Sequence, residues 1–207
     1  MEQTTRYLET AHPRPHPLLL ELEQRSRQDG IALVSRETGR LLSTITHAMQ
    51  ASRILEIGTG YGYATLWMAL AQPRMGKIWT IDPDTRRTDL ALSYFRRAEE
   101  DDFIEIFNTP SLELLENFSH RNLDMVFVDA PLDQYESYLD LIVPMLKLSG
   151  LAIFNGCLLG GRVADQDDDA PDVLVARAFN ERFLDHPDLD ATLLTVGDGT
   201  AIGARKQ

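Results

Sequence analysis

The 207-residue sequence is poor in three things, and each shortage excludes a class of protein. It has a single cysteine, Cys157, so it forms no internal disulfide and no thiolate zinc cluster, a usage that fits a reducing cytoplasm. No apolar run approaches the length of a membrane span. The first seventeen residues, MEQTTRYLETAHPRPHP, mix acids, prolines and histidines where a secretory signal carries an apolar core. The expectation is a cytoplasmic chain with no membrane partner. Cations are also scarce: 20 lysines and arginines face 32 acidic residues, and a net charge of −12 repels a nucleic-acid backbone. A small molecule or a protein is the expected partner.

What is present suits one folded unit, 1–207, with 43% hydrophobic residues for its core. Residues 1–50 read as a helical cover or lid and 51–207 as a strand-helix core. PLLLELEQRSRQ (17–28) and ETGRLLSTITHAM (37–49) space their apolar residues as amphipathic helices do. The string HPRPHP before them is too rich in proline for a helix and reads as a lid or a linker. Then come the β-branched-rich runs RILEI, KIWTI, FIEIF, LDMVFV and LAIF, separated by helical patterns such as DTRRTDLALSYFRRAEE and DQYESYLDLIVPMLK. That alternation implies a parallel sheet covered on both faces. DATLLTV and TAIGARK, joined through Gly197-Asp198-Gly199, read as an antiparallel hairpin at the sheet edge. No repeat occurs, and DQDDD (165–169) reads as a solvated loop.

The segment LEIGTGYGYATLWMA sets Gly58, Gly60 and Gly62 where a strand turns into a helix, so a ligand can approach bare backbone and helix amides. A dinucleotide fingerprint requires glycine where Tyr63 stands, which disfavours a nicotinamide oxidoreductase. A turn made only for tight packing is the alternative. Asp82, ending KIWTID, is suited to bind both ribose hydroxyls, with capping of the helix that starts near Thr85 as the lesser alternative.

The ordered set LEIGTGYGYATLWMA, TIDPD, DMVFVDAPLDQY, GLAIFNGCLLGGRV, ARAFN and VGDGTAIGARK resembles the S-adenosylmethionine-dependent O-methyltransferases of the catechol and caffeoyl-CoA type, from about residue 35 onward. The resemblance implies an α/β fold with a Rossmann-like seven-stranded sheet in the order 3-2-1-4-5-7-6, its last strand antiparallel, and a homodimer. It implies that Glu56 and the loop of Gly58, Thr59, Gly60, Gly62 and Tyr63 hold the amino-acid end of the cofactor. Asp82 would hold its ribose, Ser111 would lie by its adenine, and the Val34 amide would meet its carboxylate. Asp129 would lie beside its methionine moiety and is the catalytic candidate.

The departures from that family are as informative. Ala64 stands where a serine usually binds the cofactor carboxylate, with Thr65 the nearest replacement hydroxyl, and Pro110 stands in place of an acid beside the adenine. Most of the family binds a divalent cation through the aspartate after strand four and an Asp-Asn pair after strand five. Here that pair is Asn155-Gly156, too few anionic donors for a hard ion. Leu132 replaces the family's lysine base. His12, His16 and His47 are candidate substitutes that read more readily as surface or capping residues, and Cys157 one that reads more readily as a buried small hydrophobe; Asp133 and Tyr135 read as cap and packing. The expectation is metal-independent O-methylation of a small molecule. The alternative is a catalytically silent cofactor-binding homologue acting as a regulatory or assembly partner.

Overall fold

The computed structural model describes residues 2–206. Three helices, α1 (Glu2–Ala11), α2 (Pro17–Asp29) and α3 (Arg36–Met49), precede the sheet. They are followed by β1 (Arg53–Ile57), α4 (Tyr63–Ala69), β2 (Lys77–Ile81), α5 (Thr85–Arg97), β3 (Ile104–Phe107), α6 (Ser111–Asn117), β4 (Leu123–Val128) and α7 (Tyr135–Ile142). The chain closes with β5 (Leu146–Asn155), α8 (Pro171–Leu184), β6 (Leu189–Leu194) and β7 (Thr200–Arg205). The sheet order is β3-β2-β1-β4-β5-β7-β6, as the resemblance implied, and β7 alone runs antiparallel to its neighbours.

Strand alternation divides the core into two layers. Leu55, Ile57, Trp79, Ile81, Val126 and Val128 point to the side covered by α6, α7 and α8, where Tyr135, Phe154, Phe179 and Phe183 pack ring against ring. Ile54, Ile78, Met125 and Phe127 point to the side covered by α2 to α5. Each fully buried apolar side chain contributes about 1.5–3 kcal/mol. Glu56 and Thr80 share this second face and are register partners, so a carboxylate interrupts an otherwise apolar layer.

Two elements differ from the sequence reading. The N-terminal stretch contains α1, and only residues 12–16, the proline string, are irregular; Arg40 of α3 donates to the Pro13 carbonyl at 2.6 Å and ties that string down. The helix expected over DQYESYLDLIVPMLK stops at Ile142, because Pro144 offers no amide to continue it. Strand β5 therefore begins at Leu146, with a register irregularity opposite Leu123.

Candidate functional site

The strand ends β1, β2 and β4 converge on one side of the sheet, the usual place for a ligand in an open α/β fold. The turn after β1 is fixed by its own backbone: Gly58 donates to the Ile81 carbonyl at 2.9 Å, and Gly62 to that of Thr59 at 2.8 Å. Gly58 has φ +100°, and a side chain there would collide with the carbonyl oxygen of Asp129; one at Gly62, φ +78°, would strike the Phe95 ring. Gly60 differs, with φ +51° and open space where its side chain would be.

Asp82 holds this turn to the next strand. Its Oδ2 accepts from the Gly60 amide at 2.8 Å and its Oδ1 from the Asp84 amide at 2.9 Å. Asp84 caps α5 by accepting from the Arg86 amide at 3.0 Å, so the capping role open to Asp82 belongs to Asp84. An ionised carboxylate has about four acceptor sites, and Asp82 keeps capacity for a diol.

Two hollows meet over this turn. One, of about 120 Å³, is walled by Ile31 to Val34, Thr59, Tyr63 and Ala64. The other, of about 410 Å³, is walled by Pro110, Ser111, Gln134 and Tyr138. Gly58, Asp82, Arg87 and Asp129 line both. The structure thus brings Val34, Gly58, Thr59, Gly60, Tyr63, Asp82, Ser111 and Asp129 around two adjoining hollows that share lining residues.

Three expected residues lie elsewhere. Gly62 serves the fold of the turn. Glu56 is fully buried beneath it and lines neither hollow. Thr65, expected to offer its hydroxyl to a cofactor, donates it to Glu56 Oε2 instead, because α4 turns that face into the sheet. Thr80 donates to the same oxygen at 2.6 Å and Thr59 reaches Thr80 at 2.6 Å, so a hydroxyl chain links the cavity wall to Glu56. Glu56 Oε1 has no hydrogen-bond partner among the described residues. Burial pushes the Glu56 carboxyl up to about 8; the two threonines oppose that shift, and the charges of Asp129 and Asp82 add to it.

Asp129 directly follows β4, with its Oδ1 taken by the Asn155 amide at 3.0 Å, leaving Oδ2 for a ligand. Burial raises its carboxyl above the usual range against that hydrogen bond. Asn155 is held in turn by the Tyr135 hydroxyl, which donates to its carbonyl at 2.8 Å. Tyr135 is accordingly a packing residue, whereas Asp133 is exposed and makes no capping hydrogen bond. Where the resemblance places a cation, the side chains offer one carboxylate, Asp129, that already accepts an amide proton, and one neutral amide oxygen, Asn155 Oδ1, which is buried without a hydrogen-bond partner among the described residues; Gly156 adds no side chain. That set does not fit a hard, strongly hydrated divalent ion.

The substitutes considered for a base lie away from these hollows. His16 caps α2 by accepting from the Leu18 amide, His47 is exposed at the end of α3, and His12 lines a separate groove with Arg14 and Arg40. Cys157 is fully buried, and burial pushes its thiol up to about 12, which removes it as a nucleophile. The sequence reading missed Arg87, Gln134 and Tyr138. Gln134 and Tyr138 stand one helical turn apart, joined by a 2.5 Å hydrogen bond, a spacing that was readable had the wall been sought there.

A profile of the O-methyltransferase family matches residues 9–206. The chain is 30% identical over 174 residues to a catechol O-methyltransferase of Mycobacterium tuberculosis, covering 82% of this chain and 79% of that one. It is 30% identical over 213 residues to a caffeoyl-CoA O-methyltransferase of Populus kitakamiensis, covering 96% and 91%. Among solved structures, the O-methyltransferase TomG of Streptomyces achromogenes, in complex with S-adenosylmethionine, aligns with a TM-score of 0.88 at 27% identity over 99% of this chain and 96% of its own.

Proposed function

Because this chain belongs to the O-methyltransferase family, we propose that its adjoining hollows hold S-adenosylmethionine, the methionine end over Gly58 to Gly60 and the adenosine end between Asp82 and Ser111. The activity is S-adenosylmethionine-dependent O-methylation of a small molecule. The cofactor supplies a methyl group made electrophilic by a sulfonium. The observation that carries the assignment is that Gly58, Asp82 and Asp129 line both hollows, with room left at Gly60. Carboxylates around those hollows suit a ligand bearing an ammonium and a sulfonium.

The protein's work is alignment and exclusion of water, since methyl transfer is an in-line displacement. With S-adenosylmethionine bound, the cofactor would supply the methyl group, and Asp129 Oδ2, left open by the Asn155 hydrogen bond, would accept the proton that the acceptor oxygen gives up. Asp129 takes that role because its raised affinity for protons makes it a stronger base than an exposed carboxylate, and Asn155 keeps it oriented. We infer that no divalent cation takes part, from the donor set at Asn155-Gly156. The silent-partner alternative has no observation in its favour. A small-molecule acceptor, a homodimer, a cytoplasmic location and the absence of a nucleic-acid partner belong to the same proposal; among the described residues, no helix is long and apolar enough to cross a membrane.

Calorimetry tests it. Binding of S-adenosylmethionine and of its demethylated product is expected, unchanged by magnesium or a chelator. Binding of NAD with no response to either sulfur compound would end the reading. Activity abolished by a chelator and restored by magnesium would overturn the metal-free part alone.

A further inference from the structure

Glu23, in the middle of α2, is 8% exposed and lies outside both hollows, yet it is charged. Burial raises its carboxyl, but hydrogen bonds from Arg36 and Tyr63 outweigh that and hold it below the usual range. Arg36 grips both oxygens, Nε to Oε1 at 2.8 Å and Nη2 to Oε2 at 2.6 Å, and the Tyr63 hydroxyl donates to Oε1 at 2.7 Å. The Arg36 side chain is 39% exposed, so the pair is only half-buried and adds little stability, and a charged group placed there calls for a role in fixing geometry.

Its partners define that geometry. Arg36 opens α3 directly after the strap 31–35, of which Ile31 to Val34 wall the smaller hollow. Tyr63 opens α4 directly after Gly62 and walls the same hollow from the other side. The second tyrosine of the glycine turn repeats the device: Tyr61 donates to Asp29 Oδ2, at the end of α2, at 2.8 Å. The strap itself starts from Ser26, whose hydroxyl donates to the Ile31 carbonyl at 2.5 Å, and ends at Ser35, which caps α3.

We propose that Glu23 is a positioning residue for cofactor binding: through Arg36 and Tyr63 it sets the strap and the glycine turn at a fixed separation across the methionine-end hollow. This rests on the assignment of that hollow to S-adenosylmethionine. Glu23 touches no ligand and acts through its two partners. Asp29, more exposed and shared with Arg25, is the lesser tie.

The test uses the full chain with Glu23→Gln, which keeps shape and removes charge, and Tyr63→Phe, which removes one hydrogen bond and leaves the ion pair. Each should raise KM for S-adenosylmethionine and Kd for its demethylated product about tenfold, the usual effect of losing a hydrogen bond to a charged group, while kcat changes less than about threefold. Hydrogen exchange at the amides of residues 31–34 should speed up by about tenfold in the cofactor-free variants, with β4 unchanged. Asp29→Asn should stay within about twofold of the parent in every measure. If Glu23→Gln fails to fold, Tyr63→Phe carries the test. A lower melting temperature with Kd and strap exchange unaltered would overturn the proposal. If the parent itself binds neither sulfur compound, the cofactor assignment fails, and strap exchange still decides whether Glu23 sets the separation.

Discussion

The loop after β1 and the loop after β5 both leave the sheet beside Asp129, and both turn on residues in the left-handed region. In the first, glycine is enforced by collision: Gly58 sits against the Asp129 backbone and Gly62 against Phe95. In the second, Gly156, Leu159, Gly160 and Gly161 all have positive φ, yet a side chain added at Gly156 or Gly161 meets nothing within 4 Å. The first loop is pinned by its near strands, through Ile81 and Asp82. The second hangs from the distant β6–β7 turn, with Leu158 donating to the Asp198 carbonyl at 2.9 Å, Cys157 to that of Gly199 at 3.0 Å, and the Gly160 amide to the Asp198 side chain. Packing enforces glycine at Gly58 and Gly62, whereas at Gly60, Gly156 and Gly161 only the backbone conformation favours it.

The largest effect should come from alanine at the two kinds of glycine. Gly58→Ala must move backbone as well as adopt an unfavourable φ, and should cost about 3 kcal/mol or more in urea unfolding while abolishing cofactor binding. Gly156→Ala carries only the conformational penalty, about 1–2 kcal/mol. Equal losses would erase the contrast between the loops.

Next is Asp82→Ala, which strips the Gly60 amide of its acceptor and the cofactor of a charged partner. Calorimetry should show cofactor binding weakened by about 1–3 kcal/mol, with α5 still capped by Asp84. Unchanged affinity would confine Asp82 to the turn.

Glu56 gives the contrast a pH signature. Its carboxyl ionises near 4.5 in the unfolded chain and near 8 in the folded one. Between those values the folded state keeps a proton that the unfolded state has released, so stability of the cofactor-free protein declines as pH rises from about 4.5 to about 8. Urea midpoints across that range should decline less in Glu56→Gln. A variant that keeps the parent's slope would show that another group is responsible.

The smallest effect is a gain. Ala64 lines the methionine-end hollow, so Ala64→Ser should restore a donor and tighten binding by about 0.5–1.5 kcal/mol. A loss of affinity would mean that the wall there has no space for a hydroxyl.

The sheet and the glycine turn were legible because alternation of apolar residues and glycine spacing are local properties of the chain. Individual ties were not. Thr65 and Ala64 are neighbours in sequence, and only the packing of α4 decides that Thr65 turns to Glu56 while Ala64 faces the cavity. The loss of a metal-binding pair at Asn155-Gly156 was readable as composition, but not that Asn155 would turn its amide to Asp129, 26 residues away. Glu23 looked like one more charge on an amphipathic helix, since its partner Tyr63 lies 40 residues on.

The tip of the last hairpin touches the start of α3: a side chain at Gly197 would run into Ser35 and Thr38. Contacts so far apart in sequence close the longest loop and carry the greatest entropic penalty, so they belong to the late steps of folding. Strands β1, β2 and β4 need no help from that hairpin to line up Gly58, Asp82 and Asp129. A refolding chain should therefore protect the amides of β1 and β4 before those of β7, as pulsed hydrogen exchange would read. The turn that carries Gly58 and the strand ends that carry Asp82 and Asp129 would then be in place before the hairpin docks on α3.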